Sequence, residues 1–373
     1  MDNIPEITII IPIHNRILFL PQILEYYSRF KKDINLKIIV ADSSSADNFD
    51  NNKKVVDKFA DLSILHIPIH GRPTLYDKII GALKYVETEF CVCCADDDFV
   101  TVSGLKKTCD FLKSYPDFVV AHGAYISFNT RPNRKKWGLY WRQIYGSHSV
   151  DDASPEQRLT DQFLNFKPTL YAVHRTYDLK CIFEEVKGAL DSEVKILLFG
   201  ELLISMLAAI RGKIKDLNIL YSVRRKDSPY QGQHIKWPTK RDYFREGKLE
   251  AESIEFKECL ARNLSVKMGL NFERAQILVK VGLSSYLKKV LQPDYFRHFV
   301  LNTANFLKNT DAPIWLYKNL SRVYRIFVPV KRGGTADDLA GTNLSAYNED
   351  FKILREIVLK YAQNKIADSF DQV

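Results

Sequence analysis

The chain has 373 residues, of which 46% are hydrophobic and 27% are charged, and its formal net charge is +9. This composition is that of an ordinary soluble globular protein, which excludes a disordered or fibrous chain. The length allows two or three modest domains, or one large core with an appendage. The pI near 9.0 favours an anionic partner: nucleic acid, an acidic membrane surface or a phosphate-bearing substrate.

The N-terminus and the cysteines predict a cytoplasmic protein. "MDNIPEITIIIP" lacks the basic segment and long apolar core of a signal peptide, and no later run reaches membrane-spanning length. Of the six cysteines, Cys91 and Cys94 form a CxxC inside an apparent strand, without a second Cys or His pair. We therefore interpret them as small buried hydrophobic residues in a reducing compartment rather than as zinc ligands.

Strand and helix patterns alternate through the first part of the chain. The predicted strands are "ITIIIPI", "LKIIVADSS", "SILHIPI" and "EFCVCCADDD", and between them lie the helical patterns "ILFLPQILEYYSRF" and "LYDKIIGALKYVE". Continuous apolar strands separated by helices indicate a mostly parallel sheet that is covered on both faces. Ligands of such sheets bind at the carboxyl ends of the strands, where Asp42 and Asp96 to Asp98 lie.

The pattern changes after about residue 130. "RPNRKKWGLYWRQIYG" is basic and aromatic without a clean period, so it is either a surface loop or a segment that packs or stacks. "PTLYAVHR" predicts a further strand, and "GELLISMLAAIRG" predicts a helix that ends at Gly212. Beyond about residue 240 the sequence predicts basic helices, with a linker at "RGGTADDLAGTN".

Three carboxylates follow the fourth predicted strand directly, in "CVCCADDDFV". Like charges this close repel each other unless a cation shares the site, and Mg²⁺ or Mn²⁺ with substrate phosphates would satisfy them. The alternative is an acidic turn whose side chains face water, with one Asp capping the helix that begins near Ser103.

The order of "TIIIPIHNR", "IIVADSSS", "ADDDF" and "GELLISMLAAIRG" resembles the nucleotide-sugar glycosyltransferases of family 2, which have the GT-A fold. The resemblance covers roughly residues 6 to 240 and leaves the last third unexplained. It implies a Rossmann-like catalytic domain over residues 1–240, with nucleotide-sugar binding in about 1–110 and the acceptor side in about 111–240. A helical C-terminal region, 241–373, would follow.

The resemblance implies roles for the acids that end the predicted strands. Asp42 holds the position that reads the nucleobase, although it could also be a turn Asp bonded to its own backbone. The DXD motif of the family, which contacts the metal ion and the diphosphate, matches as Asp96 with Asp98 or as Asp96 with Asp97. We expect Asp98 first, together with Asp96, to bind the metal, and Asp96 and Asp97 to contact the donor.

Further donor contacts are implied around the first and third strands. Lys78 in "GRPTLYDKIIGAL" is placed to neutralise the diphosphate, with Arg72 as an alternative, and either one could be an ordinary exposed cation. Pro12, His14 and Arg16 follow the first strand, where family members wrap the nucleotide.

Inverting sugar transfer needs a carboxylate that takes the proton of the acceptor hydroxyl. Family members place it in a Glu-Asp pair that opens a helix, and "GELL" offers Glu201 with Leu202 in place of the second acid. We expect a helix N-terminus to stabilise the Glu201 charge, and helix capping is the alternative role. Asp191 and Glu193 are the next candidates for the base.

The segment "QGQHIKW" is similar to the QxxRW motif of processive members, with Lys in place of Arg. His234 in this segment could complete the metal shell, or the segment could be a surface loop.

The sequence therefore predicts a glycosyltransferase that depends on Mn²⁺ or Mg²⁺. It would move a sugar from a nucleotide donor, a UDP-sugar by preference, to a saccharide or lipid-linked acceptor in glycan synthesis. A nucleotidyltransferase shares the sheet and the acidic pair, but it usually has a Gly-rich basic loop where this chain has "PIHNRILFLP". A third hypothesis is a non-catalytic nucleic-acid-binding protein, suggested by the net charge and by the basic aromatic segment.

The helical region offers a way to reach a lipid-linked acceptor. In "APIWLYKNLSRVYRIFVPVKR" an apolar stripe recurs at helical spacing among Lys and Arg residues, which suits a helix lying at the inner face of a membrane. The alternative is that the stripe packs on the catalytic domain or on a second copy of the chain.

Overall fold

The computed structural model describes residues 6–133, 136–145, 148–226, 228, 240–291 and 344–370. Its first part alternates strands and helices as predicted. The strands are β1 Ile7–Ile13, β2 Leu36–Asp42, β3 Ser63–Pro68 and β4 Phe90–Cys93. The helices between them are α1 Leu20–Arg29, α2 Ala46–Asp57 and α3 Leu75–Leu83.

The middle of the chain completes the sheet. Its strands are β5 Phe99–Val100, β6 Phe118–Asn133, β7 Lys136–Tyr145, β8 Val173–Arg175 and β9 Lys213–Arg225. Its helices are α4 Val102–Ser114, α5 Pro155–Leu164, α6 Thr176–Ala189 and α7 Glu193–Arg211. The predicted stop of α7 is confirmed, since Gly212 is its C-cap.

The described strands form one nine-stranded sheet in the order β3-β2-β1-β4-β8-β6-β9-β5, with β7 paired to β6. Strands β1 to β4, β6 and β9 run in one direction, and β5, β7 and β8 run against them. The sheet is therefore mostly parallel and has helices on both faces, as the sequence predicts for a GT-A fold.

Apolar side chains that alternate along the strands build a core on each face. On β1, Ile10 faces the core under α3, α6 and α7, whereas Ile9 and Ile11 face the core under α1 and α4. All three side chains are fully buried. Cys91, Cys93 and Cys94 are buried in these cores too, and burial raises the pKa of the Cys91 thiol to about 12. Their predicted role as small buried residues is confirmed.

The C-terminal helices cover both faces of the sheet. They are α8 Lys240–Arg245, α9 Leu249–Glu252, α10 Ile254–Met268, α11 Phe272–Leu291 and α12 Asn348–Phe370. Helix α10 joins the core of α7, where the Phe199 and Phe256 ring centroids are 5.0 Å apart. Helix α12 packs on the opposite face, where Lys360 Nζ lies 2.9 Å from Glu25 Oε2. A domain boundary near residue 240 stays a prediction.

Two alternatives that the sequence left open are decided by the structure. The basic aromatic segment after residue 130 continues β6 and forms β7, so its backbone is an antiparallel hairpin rather than a loop. Helix α4 is capped by Thr101, whose Oγ1 accepts a hydrogen bond from the Gly104 amide at 3.1 Å, and not by an Asp. Among the helices that the structure describes, none is both long and apolar enough to cross a bilayer. The predicted membrane-facing helix at 312–332 lies outside the described residues.

Candidate active site

The carboxyl ends of β1, β2 and β4 meet at one edge of the sheet. Ile13 at the end of β1 pairs with Asp42 at the end of β2, and the Cys94 amide donates to the Ile10 carbonyl at 2.9 Å. The loops after these strands carry the predicted site residues. Parallel register therefore gathers side chains that are far apart in the sequence.

The three acids after β4 are buried, with relative exposures of 3% for Asp96, 5% for Asp97 and 7% for Asp98. They do not face water, so the acidic-turn alternative is wrong. Arg16, in the loop after β1, lies between the first two: its Nη1 is 2.7 Å from Asp96 Oδ1 and its Nη2 is 2.7 Å from Asp97 Oδ2. The same guanidinium also donates to the Ser228 hydroxyl.

Asp98 is held by the end of β9 instead. Its Oδ2 accepts a hydrogen bond from Arg224 Nε at 3.0 Å, and its Oδ1 accepts one from the Arg225 amide at 2.8 Å. Both oxygens therefore have donors. Arg225 extends in turn to Gln22 of α1, with Nη2 2.9 Å from Oε1, so the acidic loop is tied to two further elements.

Burial dominates the protonation of these acids. Burial raises the pKa of Asp96 to about 7, although Arg16 acts in the opposite direction. Burial likewise raises the pKa of Asp98 to about 6, against the attraction of Arg224. Asp97 adds to both shifts because it places a like charge beside each carboxylate.

The acid cluster fits a hard cation in one respect. Asp96 Oδ2 is buried and accepts no hydrogen bond from the described residues, which leaves a carboxylate oxygen of the type that Mg²⁺ and Mn²⁺ prefer. Asp98, the expected direct ligand, has both oxygens engaged by Arg224 and Arg225, so the geometry favours Asp96 for that role. The other expected ligand, His234, lies outside the described residues, within which no ready-made group of three metal-binding side chains occurs.

Asp42 lies in a network of neutral and imidazole donors. Its Oδ1 accepts from the Ser44 amide at 2.8 Å, and its Oδ2 is 2.9 Å from both Asn52 Nδ2 and His66 Nε2. The His66 ring stacks on Phe49, with centroids 4.2 Å apart. Burial raises the pKa of Asp42, but the bonds from His66, Ser44 and Asn52 outweigh it and hold the pKa below its ordinary value. The backbone-bonded turn that the sequence left open is present, and a base contact would add to it.

The loop after β1 is bonded to the loop after β2. His14 Nδ1 lies 2.9 Å from the Ser43 carbonyl oxygen, and the Asn15 amide donates to Ser44 Oγ at 2.7 Å. Asn15 has φ +53°, a left-handed conformation that Asn tolerates better than most residues. His14 is exposed beside this contact, whereas Pro12 is buried within β1 rather than after it.

The two candidate diphosphate cations differ in position. Lys78 on α3 is partly buried, and its Nζ lies 3.5 Å from the Ile13 carbonyl oxygen. Burial of its ammonium group lowers the pKa of Lys78, although Asp96 and Asp42 attract the charge. Arg72 is exposed and makes no ion pair with a described residue. The structure thus brings Lys78 to the acid cluster and leaves Arg72 outside it.

Glu201 does not open a helix, contrary to the expectation. Helix α7 begins at Glu193, where the Ser192 hydroxyl caps the Lys195 amide at 3.3 Å, so Glu201 lies in its interior. Helix capping is therefore not its role, and the helix N-terminus does not stabilise its charge. The Glu201 side chain is exposed. Gly200 before it allows close packing, since a Cβ there would lie 2.7 Å from Tyr76 Cζ.

Tyr171 and Arg224 feel the charges of both Glu201 and Asp98. The Arg224 guanidinium carbon lies 5.2 Å from the centroid of the Tyr171 ring. Burial raises the pKa of Tyr171, and Glu201 raises it further. Burial lowers the pKa of Arg224, but Asp98 and, to a smaller extent, Tyr171 and Glu201 raise it above its ordinary value. Glu201 therefore acts on the same groups as Asp98.

Sequence reasoning missed Arg224, Arg225 and His66. The two arginines are 126 and 127 residues from Asp98, and only the pairing of β5 with β9 brings them together. His66 is nearer, since it lies on β3, which pairs with β2, the strand that carries Asp42. A histidine within the apolar run "SILHIPI" is the one signal that was available.

The sequence matches one protein-family model over part of its length. The family model described as "Glycosyl transferase family 2" matches residues 8–172. Among curated proteins, none matches this chain by sequence.

Solved structures give distant likenesses. The 1–349 segment of TarS from S. aureus in complex with UDP-GlcNAc is 17% identical, with 79% of this chain and 75% of that chain covered and a TM-score of 0.47. For the longer TarS structure the identity is 16%, and this chain spans 45% of its length, with 79% of this chain covered and a TM-score of 0.44. Glucosyl-3-phosphoglycerate synthase from Mycobacterium tuberculosis, in complex with Mn²⁺, UDP and glucosyl-3-phosphoglycerate, is 12% identical over 72% of this chain and 81% of that chain, with a TM-score of 0.35.

The family model matches the segment that contains β1 to β4 and the Asp42 and Asp96 to Asp98 loops, whose geometry is given above. Residues 8–172 therefore match the model of glycosyl transferase family 2, the family that the motifs of the sequence resemble.

Proposed function

We propose that the protein transfers a sugar from a UDP-sugar donor to a hydroxyl group of a saccharide or lipid-linked acceptor, with inversion at the anomeric carbon and with Mn²⁺ or Mg²⁺ as cofactor. The observation that carries this proposal is the charge arrangement at the carboxyl edge of the sheet. Three buried carboxylates, two arginines and a partly buried lysine converge there beside Asp42.

Each part of this edge suits one part of the donor. Asp42 is a fixed anionic acceptor, which matches the ring N–H of uracil. Lys78 and Arg16 supply positive charge for the diphosphate, and Arg16 can exchange Asp96 for a phosphate oxygen while it keeps Asp97. Donor binding would in this way relieve the cost of keeping Lys78 partly buried near Arg16.

Asp96 is the residue we assign to the metal, through the oxygen that accepts no hydrogen bond from described residues, with Asp98 beside it. The metal would offset the negative charge that grows on the departing diphosphate. Asp97 and Arg16 would then keep the acidic loop in place.

Glu201 is the residue we assign as the base. Its exposed carboxylate is on the side of the cluster where Tyr171 and Arg224 lie, and Lys240 of α8 is near enough for Glu201 to raise its pKa against the effect of burial. A carboxylate in this position can accept the proton of an acceptor hydroxyl as that oxygen attacks the anomeric carbon.

Donor class is tested by thermal shift with UDP, GDP, CDP and dTDP, each with and without Mn²⁺. We expect stabilisation to be largest with UDP plus Mn²⁺, because at a fixed ligand concentration a ligand stabilises the native state more when its Kd is lower. Equal shifts with all four nucleotides would contradict the uracil-binding role of Asp42. Equal shifts for UDP with and without Mn²⁺ would contradict the metal assignment.

The base is tested by Glu201→Gln, which is nearly isosteric. We expect turnover to fall by about 10²- to 10⁴-fold with donor affinity unchanged, since a general base acts on the barrier and not on ground-state binding. Glu193→Gln, at the start of the same helix, is the matched control and should stay within a few fold of the parent. The reverse result would move the base to Glu193.

A further inference from the structure

A cavity of about 400 Å³ lies between the end of α5, the loop that follows it and the last turns of α11. Phe166 and Tyr286 line it, with ring centroids 5.8 Å apart and an interplanar angle of 77°. Such a volume and an aromatic lining are typical of sites for small polar ligands. None of the residues assigned above to the donor, the metal or the base lines this cavity.

The ionisable groups that line the cavity are all basic: His148, Lys167 and Lys289. His148 Nε2 lies 2.8 Å from Asp161 Oδ2, so this acid is already engaged by the imidazole. The Lys289 ammonium donates to the Leu164 carbonyl at 2.7 Å, which fixes it at the rim. Lys167 and Lys289 make no ion pair with a described residue, and they leave the cavity with positive charge.

The loop that carries Lys167 is hydrogen-bonded to helix α7 one turn from Glu201. The Ser205 hydroxyl donates to the Glu201 backbone carbonyl at 2.8 Å and accepts from the Thr169 amide, two residues after Lys167, at 3.0 Å. Lys240 Nζ lies 5.8 Å from the ring centroid of Tyr286, which lines the cavity, and the charge of Glu201 raises the pKa of both groups.

The charge of Glu201 thus acts both on Arg224, which binds Asp98, and on Tyr286, which lines this cavity. We infer that the cavity is an acceptor subsite that takes a saccharide bearing an anionic group, with the sugar against Phe166 and Tyr286 and the phosphate or carboxylate on Lys167 and Lys289. This inference rests on the proposed function, because the base must lie between donor and acceptor. It explains part of the net charge of +9 without nucleic acid.

Binding of soluble probes tests the subsite directly. Glucose 6-phosphate, glucuronate and glucose are titrated into the protein by calorimetry, with saturating UDP and Mn²⁺ present so that phosphate does not enter the donor site. We expect glucose to bind at least about tenfold more weakly than one of the anionic probes, because a charge-assisted hydrogen bond is worth roughly 1.4 kcal/mol or more. The stronger of the two anionic probes identifies phosphate or carboxylate as the group.

Substitutions locate the site. Lys167→Gln and Lys289→Gln should each weaken the preferred anionic probe about tenfold, and higher salt should weaken it further. Lys280→Gln is the matched control, since Lys280 is exposed on the same helix but lines a different groove. Equal binding of charged and neutral probes, no binding at all, or an equal loss in the control would overturn the inference.

UDP affinity is measured in parallel for every variant and should not change. Failure of UDP to bind the parent protein would count against the proposed function, and the probe titrations without UDP would still decide whether the cavity takes anions.

Discussion

Two acidic loops lie at the same edge of the sheet and are held in opposite ways. Asp42 receives its donors from nearby in the sequence: Ser44, Asn52 and His66 are 2, 10 and 24 residues away. The Asp96 to Asp98 loop receives its donors from arginines 81 and 126 residues away. The first is a local network of mostly neutral groups, and the second is a set of ion pairs between distant elements.

The difference appears in the protonation of the carboxylates. Hydrogen bonds lower the pKa of Asp42 despite its burial, whereas burial raises the pKa of Asp96 to about 7 and that of Asp98 to about 6 despite the arginines. Burial of several like charges is costly even when each has a partner. The Asp42 carboxylate is therefore stabilised by its hydrogen bonds, whereas binding of a further cation would stabilise the Asp96 to Asp98 loop.

The largest effect is expected from Asp98→Ala, which removes the contacts between the Asp96 to Asp98 loop and β9. The change leaves Arg224 and the Arg225 amide without their acceptor, so the free energy of unfolding should fall by about 3 kcal/mol, and UDP binding with Mn²⁺ should be lost. Chemical denaturation and calorimetric titration measure the two effects.

Asp98→Asn is the control, because its amide oxygen can still accept from the Arg225 amide. It should recover part of the stability without recovering metal-dependent binding. If Asp98→Ala unfolds at the same denaturant concentration as the parent, the β9 contacts of Asp98 do not stabilise the fold.

Arg16→Met should have the next largest effect, since it removes the cation that Asp96 and Asp97 share. We expect the free energy of unfolding to fall by about 2 kcal/mol, less than for a fully buried pair because Arg16 is partly exposed. The informative measurement is the thermal shift on adding Mn²⁺ without nucleotide. It should be larger in Arg16→Met than in the parent, because two carboxylates then lack a counter-ion.

Arg29→Met is a matched control, since Arg29 forms an exposed ion pair with Glu25 on α1 and should leave both quantities unchanged. A smaller thermal shift with Mn²⁺ in Arg16→Met than in the parent would contradict this expectation. It would mean that Arg16 supports the metal site rather than neutralising its carboxylates in place of the metal ion.

The same contrast explains what the sequence could predict. The first four strands, the sheet class and the position of Asp42 follow from local patterns, because apolar runs with intervening helices determine a parallel sheet and its binding edge. The donors of Asp42 lie within the same segment. Local sequence patterns therefore predict most of the Asp42 loop, apart from the role of His66.

The second loop depends on contacts that no local pattern encodes. The pairing of Phe99 with Val223 brings Arg224 to Asp98, and the interior position of Glu201 depends on where α7 begins. "GELL" resembles a helix start only when the preceding "SEVKILLF" is not read as the first turns of the same helix. Long-range strand pairing and the extension of α7 determine these features. The hydrogen bonds from Arg224 and Arg225 to Asp98 are the reason why we propose Asp96 ahead of Asp98 as the metal ligand.

The Asp42 loop and the Asp96 to Asp98 loop should change the free energy of unfolding with pH in opposite directions. Between about pH 4 and 7 the folded state keeps protons on Asp96 and Asp98 that the unfolded chain has lost, so the free energy of unfolding falls as pH rises through this window. Each such proton contributes at most about 1.4 kcal/mol per pH unit. Asp42 acts oppositely: its contribution is present above its ordinary pKa and is lost as pH falls below it.

Denaturation between pH 4 and 8 measures this slope. Asp96→Asn should flatten it, whereas Asp42→Asn should change only the most acidic part of the curve. An unchanged slope in Asp96→Asn would show that another group retains the proton.

The smallest effect is expected from Asp42→Asn in UDP binding. The amide keeps the shape of the side chain and can still accept from the Ser44 amide at the position of Oδ1, so the loop should hold its conformation. It loses the charged acceptor that would meet the uracil N–H, and it places an amide N–H₂ against Asn52 or His66. We expect UDP affinity to fall about tenfold, which corresponds to roughly 1.4 kcal/mol.

The Mn²⁺ dependence of UDP binding should stay as in the parent, because none of the hydrogen bonds of Asp42 joins it to the Asp96 to Asp98 loop. Calorimetric titration of UDP and CDP into Asp42→Asn decides the matter: a loss for UDP with little change for CDP supports base reading, whereas equal losses for both nucleotides would make Asp42 a structural residue of the β2 turn.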